Sequence, residues 1–349
     1  MSEEEELLRD WAASSQLLYY SIVIISIITL PSLLLMLFVL RKYTKSTYYC
    51  FLSSIIIGNF VLLATIFSNV LSDRHVQIFA GVIPGVVVCK LSAFLVNSSS
   101  FFVHWIWVAM YAQRFVHVFF PLRSRRSNDR SKHIIFLLCA FSVLSQIWTP
   151  ILITELKFSS DSSSGTYCAE DPNIFEQSTL KYLIFGECLL TFFVPFMLTV
   201  IADFSVLLMR NPCSSNSSFT LITSDDLVHH ETINDRSPLK IVHKSKIMFD
   251  EQRRHQAIRR CLILATVTLL LNLPNYSLQL IDEFYHFRES PDLSVRRSFI
   301  KIDAIVYIIY LLQFPTVPIY MYCLKSDFDR CSKSKSKRSG RRSTTHSFV

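Results

Sequence analysis

The sequence predicts an all-α membrane protein, a bundle of seven transmembrane helices with the N-terminus outside the cell and a short amphipathic helix after the seventh span. Three observations predict this fold. The chain contains seven long apolar runs, each near or above the roughly 20 residues that a helix needs to cross a bilayer. Hydrophobic residues make up 51% of the chain and charged residues only 18%. Lysine and arginine collect after alternate runs, as they do in cytoplasmic loops.

The composition excludes an ordinary soluble domain and does not favour nucleic-acid binding. A soluble chain of 349 residues would carry more charge and more than six glycines, whereas the 28 phenylalanines suit a surface that faces lipid. The net charge is +8, but the basic residues lie in short loops and in the tail rather than in one folded patch. We therefore attribute the charge to membrane topology and expect no nucleic-acid partner.

The apolar runs are predicted as membrane spans. In chain order they occupy about residues 17–40, 50–71, 83–119, 133–154, 182–209, 258–281 and 300–322. Basic residues follow the first, third and seventh runs, whereas acidic residues dominate the N-terminus and the loop after the fourth run. This asymmetry places residues 1–16 outside the cell and residues 323–349 in the cytosol. The acidic N-terminus has no cleavable signal pattern, so the first span is expected to act as the signal anchor.

The nine cysteines show neither CxxC pairs nor Cys/His spacing typical of a metal site. Cys89 and Cys168 are the two that fall in predicted extracellular segments, so we expect one disulfide between them. No cofactor and no metal are expected.

The cytosolic segments contain the polar parts of the chain. Residues 211–256 form the predicted third intracellular loop, and residues 249–260 look like an extension of the sixth helix. Residues 325–331 are predicted as the amphipathic helix on the membrane surface, which ends at Cys331, a candidate for palmitoylation. The tail beyond it offers kinase sites, and its last three residues fit a PDZ ligand, although so short a match is frequent by chance.

The third run contains the motif by which the chain resembles a known family. Cys89 lies at its outer end, Gln113-Arg114-Phe115 follows with Arg114 25 residues on, and Pro121 comes seven residues later. This layout resembles the third helix of rhodopsin-family G-protein-coupled receptors, and the resemblance extends over nearly the whole chain. The family's helix prolines are matched by Pro150, Pro195, Pro274 and Pro318. The departures are similar to those of a divergent invertebrate branch, the nematode neuropeptide-type or orphan receptors.

The resemblance assigns the activation switch and G-protein coupling to Gln113, Arg114, Phe115, Asn272, Pro274 and Pro318. Gln113 stands where the family has an acid, and it can only hydrogen-bond to Arg114, which predicts raised basal activity. Arg114 can also be interpreted as a positive-inside anchor. Asn272, Val317 and Met321 replace family residues of helices six and seven, so it stays open whether the usual activating rearrangement applies. Asn59 replaces the helix-two aspartate, so no bound sodium is expected.

The predicted ligand-binding residues are Val96, Ser100, Glu187, Asn275, Tyr276, Gln279, Asp303 and Tyr307. Val96 stands where aminergic members have an aspartate, which disfavours a monoamine ligand. Glu187 is a carboxylate within a span and is a functional hypothesis for that reason, although an acid at the outer water layer is the alternative. Glu187, Asp303 and the acidic outer segments predict a negative mouth that attracts a cationic ligand. Positive-inside sorting, however, leaves any outer surface rich in acids.

Three functions remain open at this stage. The first is a plasma-membrane receptor that binds a basic neuropeptide, amidated or not, and activates a heterotrimeric G protein, with a receptor kinase, arrestin, a PDZ protein and membrane lipid as further partners. The second is a chemosensory receptor of the same architecture for a small environmental molecule. The third is a transporter or channel, which the few glycines and the absence of repeats count against. No hydrolase, transferase or P-loop motif is found, so an enzyme is not expected.

Overall fold

The computed structural model describes residues 3–41, 47–74, 85–119, 130–160, 163–170, 177–209 and 244–322. Helices account for nearly all of them. They are α1 (Glu3–Arg41), α2 (Thr47–Arg74), α3 (Gly85–Phe119), α4 (Arg130–Ser145), α5 (Thr149–Leu152), α6 (Gln177–Cys188), α7 (Val194–Met209), α8 (Lys244–Tyr285), α9 (Leu293–Leu311) and α10 (313–322). A π turn, Leu189–Phe193, joins α6 to α7, and a 3-10 turn, Phe287–Glu289, lies between α8 and α9.

Six helical stretches among these residues are long and apolar enough to cross a membrane. They are Glu5–Arg41, Tyr49–Ser72, Gly85–Gln113, Ser131–Leu152, Lys181–Ala202 and Leu293–Tyr322. The remaining predicted span, residues 258–281, lies in α8, and its crossing of the membrane stays a prediction. The predicted amphipathic helix, Cys331 and Pro121 lie outside the described residues. The orientation of the N-terminus also stays a prediction.

The structure extends two predicted helices and adds one element. α1 begins at Glu3, so most of residues 1–16 continue the first helix. α8 begins at Lys244 and includes the predicted extension at residues 249–260. An antiparallel hairpin follows the fourth span, with strands β1 (Ile153–Ser160) and β2 (Ser163–Glu170) in a register that pairs Glu155 with Cys168. The helix before the hairpin therefore ends at Leu152, two residues before the predicted span does.

Three apolar clusters join the helices. The first lies between α2, α3 and α8 and is centred on Ile106 and Trp107. The second packs Ile22 of α1 and Leu63 of α2 against Phe314 of α10. The third also joins α1, α2 and α10, and it lies nearer to the C-terminal ends of α1 and α10. Large side chains on the outside of the bundle, such as Phe136 and Leu137, are exposed, as expected where lipid replaces water as the solvent.

Glycine permits one close helix contact. Gly58 of α2 faces α3, and a Cβ atom at this position would lie 2.7 Å from the Cγ2 atom of Val103 and 3.2 Å from the Cδ1 atom of Phe102. Small residues at helix interfaces allow this approach, and close packing is a main source of helix association in lipid. The α2–α3 contact therefore depends on the missing side chain at Gly58.

Candidate functional site

A disulfide joins Cys89, at the start of α3, to Cys168 in β2, with 5.8 Å between the two Cα atoms. This bond fastens the hairpin to α3 and confirms the predicted pair. We call this end of the bundle the disulfide end. Because the chain alternates direction from helix to helix, the N-terminal turns of α1 and the loop after α8 lie at the same end.

A cavity of about 620 Å³ opens at the disulfide end. Its walls come from the N-terminal half of α1, the end of α2, the last turns of α8, the loop after α8 and α9 as far as Tyr307. Trp11 and Tyr19 of α1 and Phe299 of α9 give it aromatic surface. Ligand pockets usually have volumes of roughly 300–1,000 Å³. The cavity can therefore hold a small molecule or a few residues of a peptide.

Four of the predicted ligand residues line this cavity together. Asn275 and Gln279 lie one turn apart on α8, and Asp303 and Tyr307 lie one turn apart on α9. The Asn275 side chain is only 5% exposed, and no described residue hydrogen-bonds to its amide. The amide atoms are not among the fully enclosed polar atoms without a partner, so they are open to the cavity, where water or a ligand can bond to them. Asn275 is thus the part of the cavity wall best placed to receive a ligand.

The other four predicted residues lie outside the cavity wall. The hydroxyl groups of Ser100 and Tyr276 are hydrogen-bonded at 2.7 Å and so link α3 to α8. Val96 packs against the second apolar cluster. Glu187 is half-buried next to Cys188, whose thiol lies 3.9 Å from the backbone carbonyl of Tyr276. None of these four residues lines the cavity.

Four acids at the disulfide end, Glu6, Asp10, Asp282 and Asp303, have basic partners that sequence reasoning did not identify. The Nε atom of Arg288 lies 3.0 Å from a carboxylate oxygen of Asp282, and its Nη2 atom lies 3.1 Å from Asp303. The guanidinium also lies over the ring of Phe299, 5.7 Å from its centroid. Arg288 therefore occupies the space between two carboxylates at the edge of the cavity.

A second ion-pair group joins α1 to α9. Arg297 contacts Asp10 and lies 2.7 Å from Glu6, and the Nζ atom of Lys301 lies 3.0 Å from Asp10. The expected negative mouth is thus partly neutralised, because Glu6, Asp10, Asp282 and Asp303 all pair with basic residues. A count of the arginines and lysines between residues 288 and 301 would have revealed this, since they lie on the side predicted to be poor in basic residues.

An aromatic layer lies next to the cavity, toward the centre of the bundle. Phe192 is fully buried and stacks on Tyr276, with 4.5 Å between ring centroids. The ring of His104 packs edge-on against both of them. Phe192 belongs to the π turn of the fifth span, and Trp105 donates a hydrogen bond to the backbone carbonyl of Leu190 in the same turn. The irregular turn is thus fixed by α3.

A buried polar cluster joins three helices at the level of Pro274. Asn272 of α8 donates a hydrogen bond to the side-chain oxygen of Gln313 in α10 at 2.8 Å, and its amide nitrogen lies 3.4 Å from the Nε2 atom of His104. All three side chains are buried. Pro318 is also buried, in α10. The predicted switch residues Asn272 and Pro274 therefore lie at the contact between α3, α8 and α10.

At the opposite end of the bundle, Gln113 bonds to the next helix. Its side-chain nitrogen donates a hydrogen bond to the hydroxyl of Ser131 in α4, with a distance of 3.2 Å. Arg114 and Phe115 follow in α3, and their side chains lie outside the described part of the structure. The amide that replaces the expected acid thus fastens α3 to α4.

Comparison with known proteins identifies the family. The profile of the 7 transmembrane receptor (rhodopsin family) matches residues 32–313, which is more than three quarters of the chain. The chain belongs to the rhodopsin family of seven-transmembrane receptors. The receptor is also similar to a protein of Caenorhabditis elegans named Probable G-protein coupled receptor AH9.4, with 28% identity over 131 residues. The matched segment covers 37% of this chain and 34% of that relative, so the chain aligns with about a third of the relative's length.

Membership of this family confirms the predicted receptor class and membrane location. The receptor is a multi-pass protein of the plasma membrane, and its family is not enzymatic. The similarity to a nematode protein agrees with the predicted invertebrate branch.

Proposed function

We propose that this receptor binds an extracellular ligand in the cavity at the disulfide end and activates a heterotrimeric G protein from the opposite end. The observation that carries the proposal is the cavity lined by Asn275, Gln279, Asp303 and Tyr307, in which the Asn275 amide has no hydrogen-bond partner among the described residues. A pocket of this volume with a few convergent polar groups is the usual form of a ligand site.

A basic neuropeptide, amidated or not, is the proposed ligand. Support comes from Asp303, a carboxylate on the cavity wall that is already paired with a guanidinium, and from the aromatic surfaces of Trp11 and Phe299. An arginine side chain of a peptide is suited to both kinds of surface. Glu187, one helix away and half-buried, is proposed as a second acidic contact for a longer peptide.

A small environmental molecule is the second candidate ligand. The cavity volume of about 620 Å³ suits a molecule of that size without any peptide extension. The acids around the cavity are already paired, so their charge attracts a cation less strongly than the sequence alone suggested.

Coupling to the G protein is proposed to run through the contacts between α3 and α8. The Ser100–Tyr276 hydrogen bond, the stacked Phe192 and the Asn272–Gln313 bond lie between the cavity and the end that carries Arg114 and Phe115. Helix rearrangement there is proposed to open a groove for the G protein. A receptor kinase, arrestin, a PDZ protein and palmitoylation at Cys331 are proposed for the cytosolic tail.

The test is G-protein activation in cells that express the receptor, challenged with basic amidated peptides and separately with small odorants. Asp303→Asn is compared with the wild type at equal surface expression. A peptide response that Asp303→Asn weakens supports the peptide receptor, because the substitution removes the charge that pairs with the ligand. A response to odorants alone moves the assignment to chemosensation. Silence in both panels at confirmed surface expression contradicts the proposed ligand classes.

A further inference from the structure

We propose that Arg288 is an internal occupant of a guanidinium subsite at the edge of the cavity, and that a cationic group of the ligand binds by displacing it. The inference rests on the proposed ligand cavity and names the chemistry of one part of it. The subsite consists of the carboxylates of Asp282 and Asp303 and the ring of Phe299, all in contact with the Arg288 guanidinium.

The contacts of Arg288 match those that select a guanidinium. The Nε and Nη2 atoms reach two different carboxylates at 3.0 and 3.1 Å, and the flat group lies over an aromatic ring at 5.7 Å. Arginine combines fixed donors with a planar face, so charge pairing and stacking act together. A lysine side chain could pair with the acids but could not reproduce both contacts in the same plane.

The occupant is held weakly enough to leave. The Arg288 side chain is 58% exposed, and exposed ion pairs contribute little because water and salt compete for them. By contrast, the side chains of Asp282 and Asp303 are only 17% and 33% exposed. If the Arg288 side chain moved away, both partly buried carboxylates would lose their cationic partner, although Asp282 would keep the backbone N–H of Arg288. A second cation would then be attracted to the same place.

An independent feature of the same cavity also points to a ligand. Asn275 is buried, lines the cavity and has no hydrogen-bond partner among the described residues. Asp303 and Asn275 line the same cavity from facing helices, α9 and α8. A ligand with a guanidinium and a neighbouring amide could therefore bond to Asp303 and to Asn275 at once. Such a group is an arginine residue within a peptide or an arginine at an amidated C-terminus.

The experiment removes the internal arginine and supplies a free one. Full-length receptor is purified in detergent, and its thermal unfolding midpoint is measured with argininamide at millimolar concentrations. Glycinamide, which has the same amide but no guanidinium side chain, is the control. A tethered group competes at an effective concentration in the millimolar range. We therefore expect Arg288→Ala to bind argininamide about tenfold more tightly than the wild type, and we expect glycinamide to have no such effect.

Three further variants decide between the outcomes. Arg288→Gln, which keeps most of the side-chain volume, is expected to respond to argininamide as Arg288→Ala does. Arg288→Ala combined with Asp303→Asn is expected to lose the response, because one of the two carboxylates is gone. Arg288→Ala combined with Asn275→Ala is expected to weaken it, because the amide contact is lost. Equal stabilisation of the wild type and Arg288→Ala, or an undiminished response in the Asp303→Asn combination, overturns the proposal. If neither Arg288→Ala nor Arg288→Gln folds, the proposal is also overturned, since Arg288 then has a structural role.

The unfolding assay needs no G protein, so its outcome separates this inference from the proposed function. Argininamide binding without any signalling response leaves the subsite in place and contradicts the signalling proposal. Signalling by basic peptides without argininamide binding to Arg288→Ala supports the receptor function and overturns the role of Arg288.

Discussion

Asn272 holds three helices together through one buried amide. The family resemblance places a tryptophan at this position, whereas here the side chain donates to Gln313 and approaches His104. Side-chain hydrogen bonds between membrane helices average about 0.6 kcal/mol and reach about 1.7 kcal/mol. A polar cluster therefore replaces aromatic bulk at the centre of the bundle, and its contribution can be measured directly.

We predict that Asn272 and Gln313 are energetically coupled. Asn272→Ala and Gln313→Ala should each lower the thermal unfolding midpoint, because each leaves the other side chain buried without its partner. The double variant should be less destabilised than the sum of the two, with a coupling free energy of about 1 kcal/mol. The midpoints of the four proteins in one detergent give this value. Strict additivity would show that the two side chains do not interact.

We predict that the residue at position 113, here Gln113, affects ligand-free signalling. A carboxylate at this position gives Arg114 an anionic neighbour at the end of α3, so Gln113→Glu should reduce ligand-free signalling by about twofold, as expected for an ion pair of about 0.5 kcal/mol. Gln113→Leu removes the bond to Ser131 without adding a charge and should not reduce it. Basal G-protein activation at matched surface expression is the readout. Equal basal activity in wild type and Gln113→Glu contradicts the account of this position.

Residues on one helix face could be predicted from the sequence, whereas side-chain contacts between different elements could not. Helical spacing placed Asn275, Tyr276 and Gln279 on one stripe, since residues three or four apart share a face. Asn275 and Gln279 line the cavity, whereas Tyr276 bonds to Ser100 outside it. The pairing of Asp303 with Arg288 was not predicted, because the two residues belong to different elements and their spacing follows no periodic pattern. The same holds for Ser100 and Tyr276, which are 176 residues apart.

Helices α2 and α3 meet closely at Gly58. Its position in α2 allows α3 to approach so closely that even a methyl group has no room beside Val103. Val103 is β-branched and buried, so its side chain has few alternative rotamers. The α2–α3 packing is thus a property of both helices and not of the glycine alone.

We predict that Gly58→Ala destabilises the receptor by about 1–3 kcal/mol through overpacking, despite the better helix propensity of alanine. Gly186→Ala in α6 is the matched control, because no atom lies within 4 Å of a Cβ atom built there. It should leave stability unchanged or raise it by up to about 1 kcal/mol. Thermal unfolding of both variants provides the comparison. If Gly58→Ala is as stable as Gly186→Ala, the close approach is not a constraint on the fold.

Elements of membrane length were easier to predict than short ones. Long apolar runs identify spans because a bilayer forces backbone groups to bond within one helix. The hairpin β1–β2 was missed because its strands are rich in serine and lack the strict apolar–polar alternation that predicts a strand. The extension of α1 to Glu3 was also missed, since residues 3–16 lack an apolar run, and ion pairs to Arg297 and Lys301 dock this part against α9.

For the whole molecule, the disulfide is the main covalent restraint among the described residues. It closes a segment of 79 residues between α3 and the hairpin. We predict that Cys89→Ser, Cys168→Ser and the double variant lose the same stability, because each breaks the same bond. Loop-closure entropy alone suggests about 4.5 kcal/mol for each variant.

Cys139→Ser is the control for the disulfide variants, since Cys139 is free and exposed, and it should behave as the wild type. Surface expression and the thermal midpoint are the two readouts. A double variant that is clearly less stable than either single variant contradicts a shared bond between Cys89 and Cys168.

At the scale of the whole bundle, composition and loop charge predicted the membrane class, and the motif around Cys89 and Arg114 predicted the family that the profile match identifies. The location of the cavity could not be predicted. The candidate residues were drawn from helices three, five, six and seven, whereas the cavity has a wall from α1. That wall depends on how α1 packs against α9. This packing follows from tertiary contacts, which no local sequence pattern predicts.

Ligand binding in the cavity between α1, α8 and α9 is tested by the potency of the activating ligand on a variant of the cavity wall. The agonist found in the peptide and odorant panels is titrated against wild type, Asn275→Ala and Glu187→Gln at matched surface expression. We predict about a tenfold loss of potency for Asn275→Ala, the effect of removing one buried hydrogen bond of about 1.4 kcal/mol to the ligand. Unchanged potency in Asn275→Ala together with a large loss in Glu187→Gln would contradict the claim and place the ligand between α3 and α6.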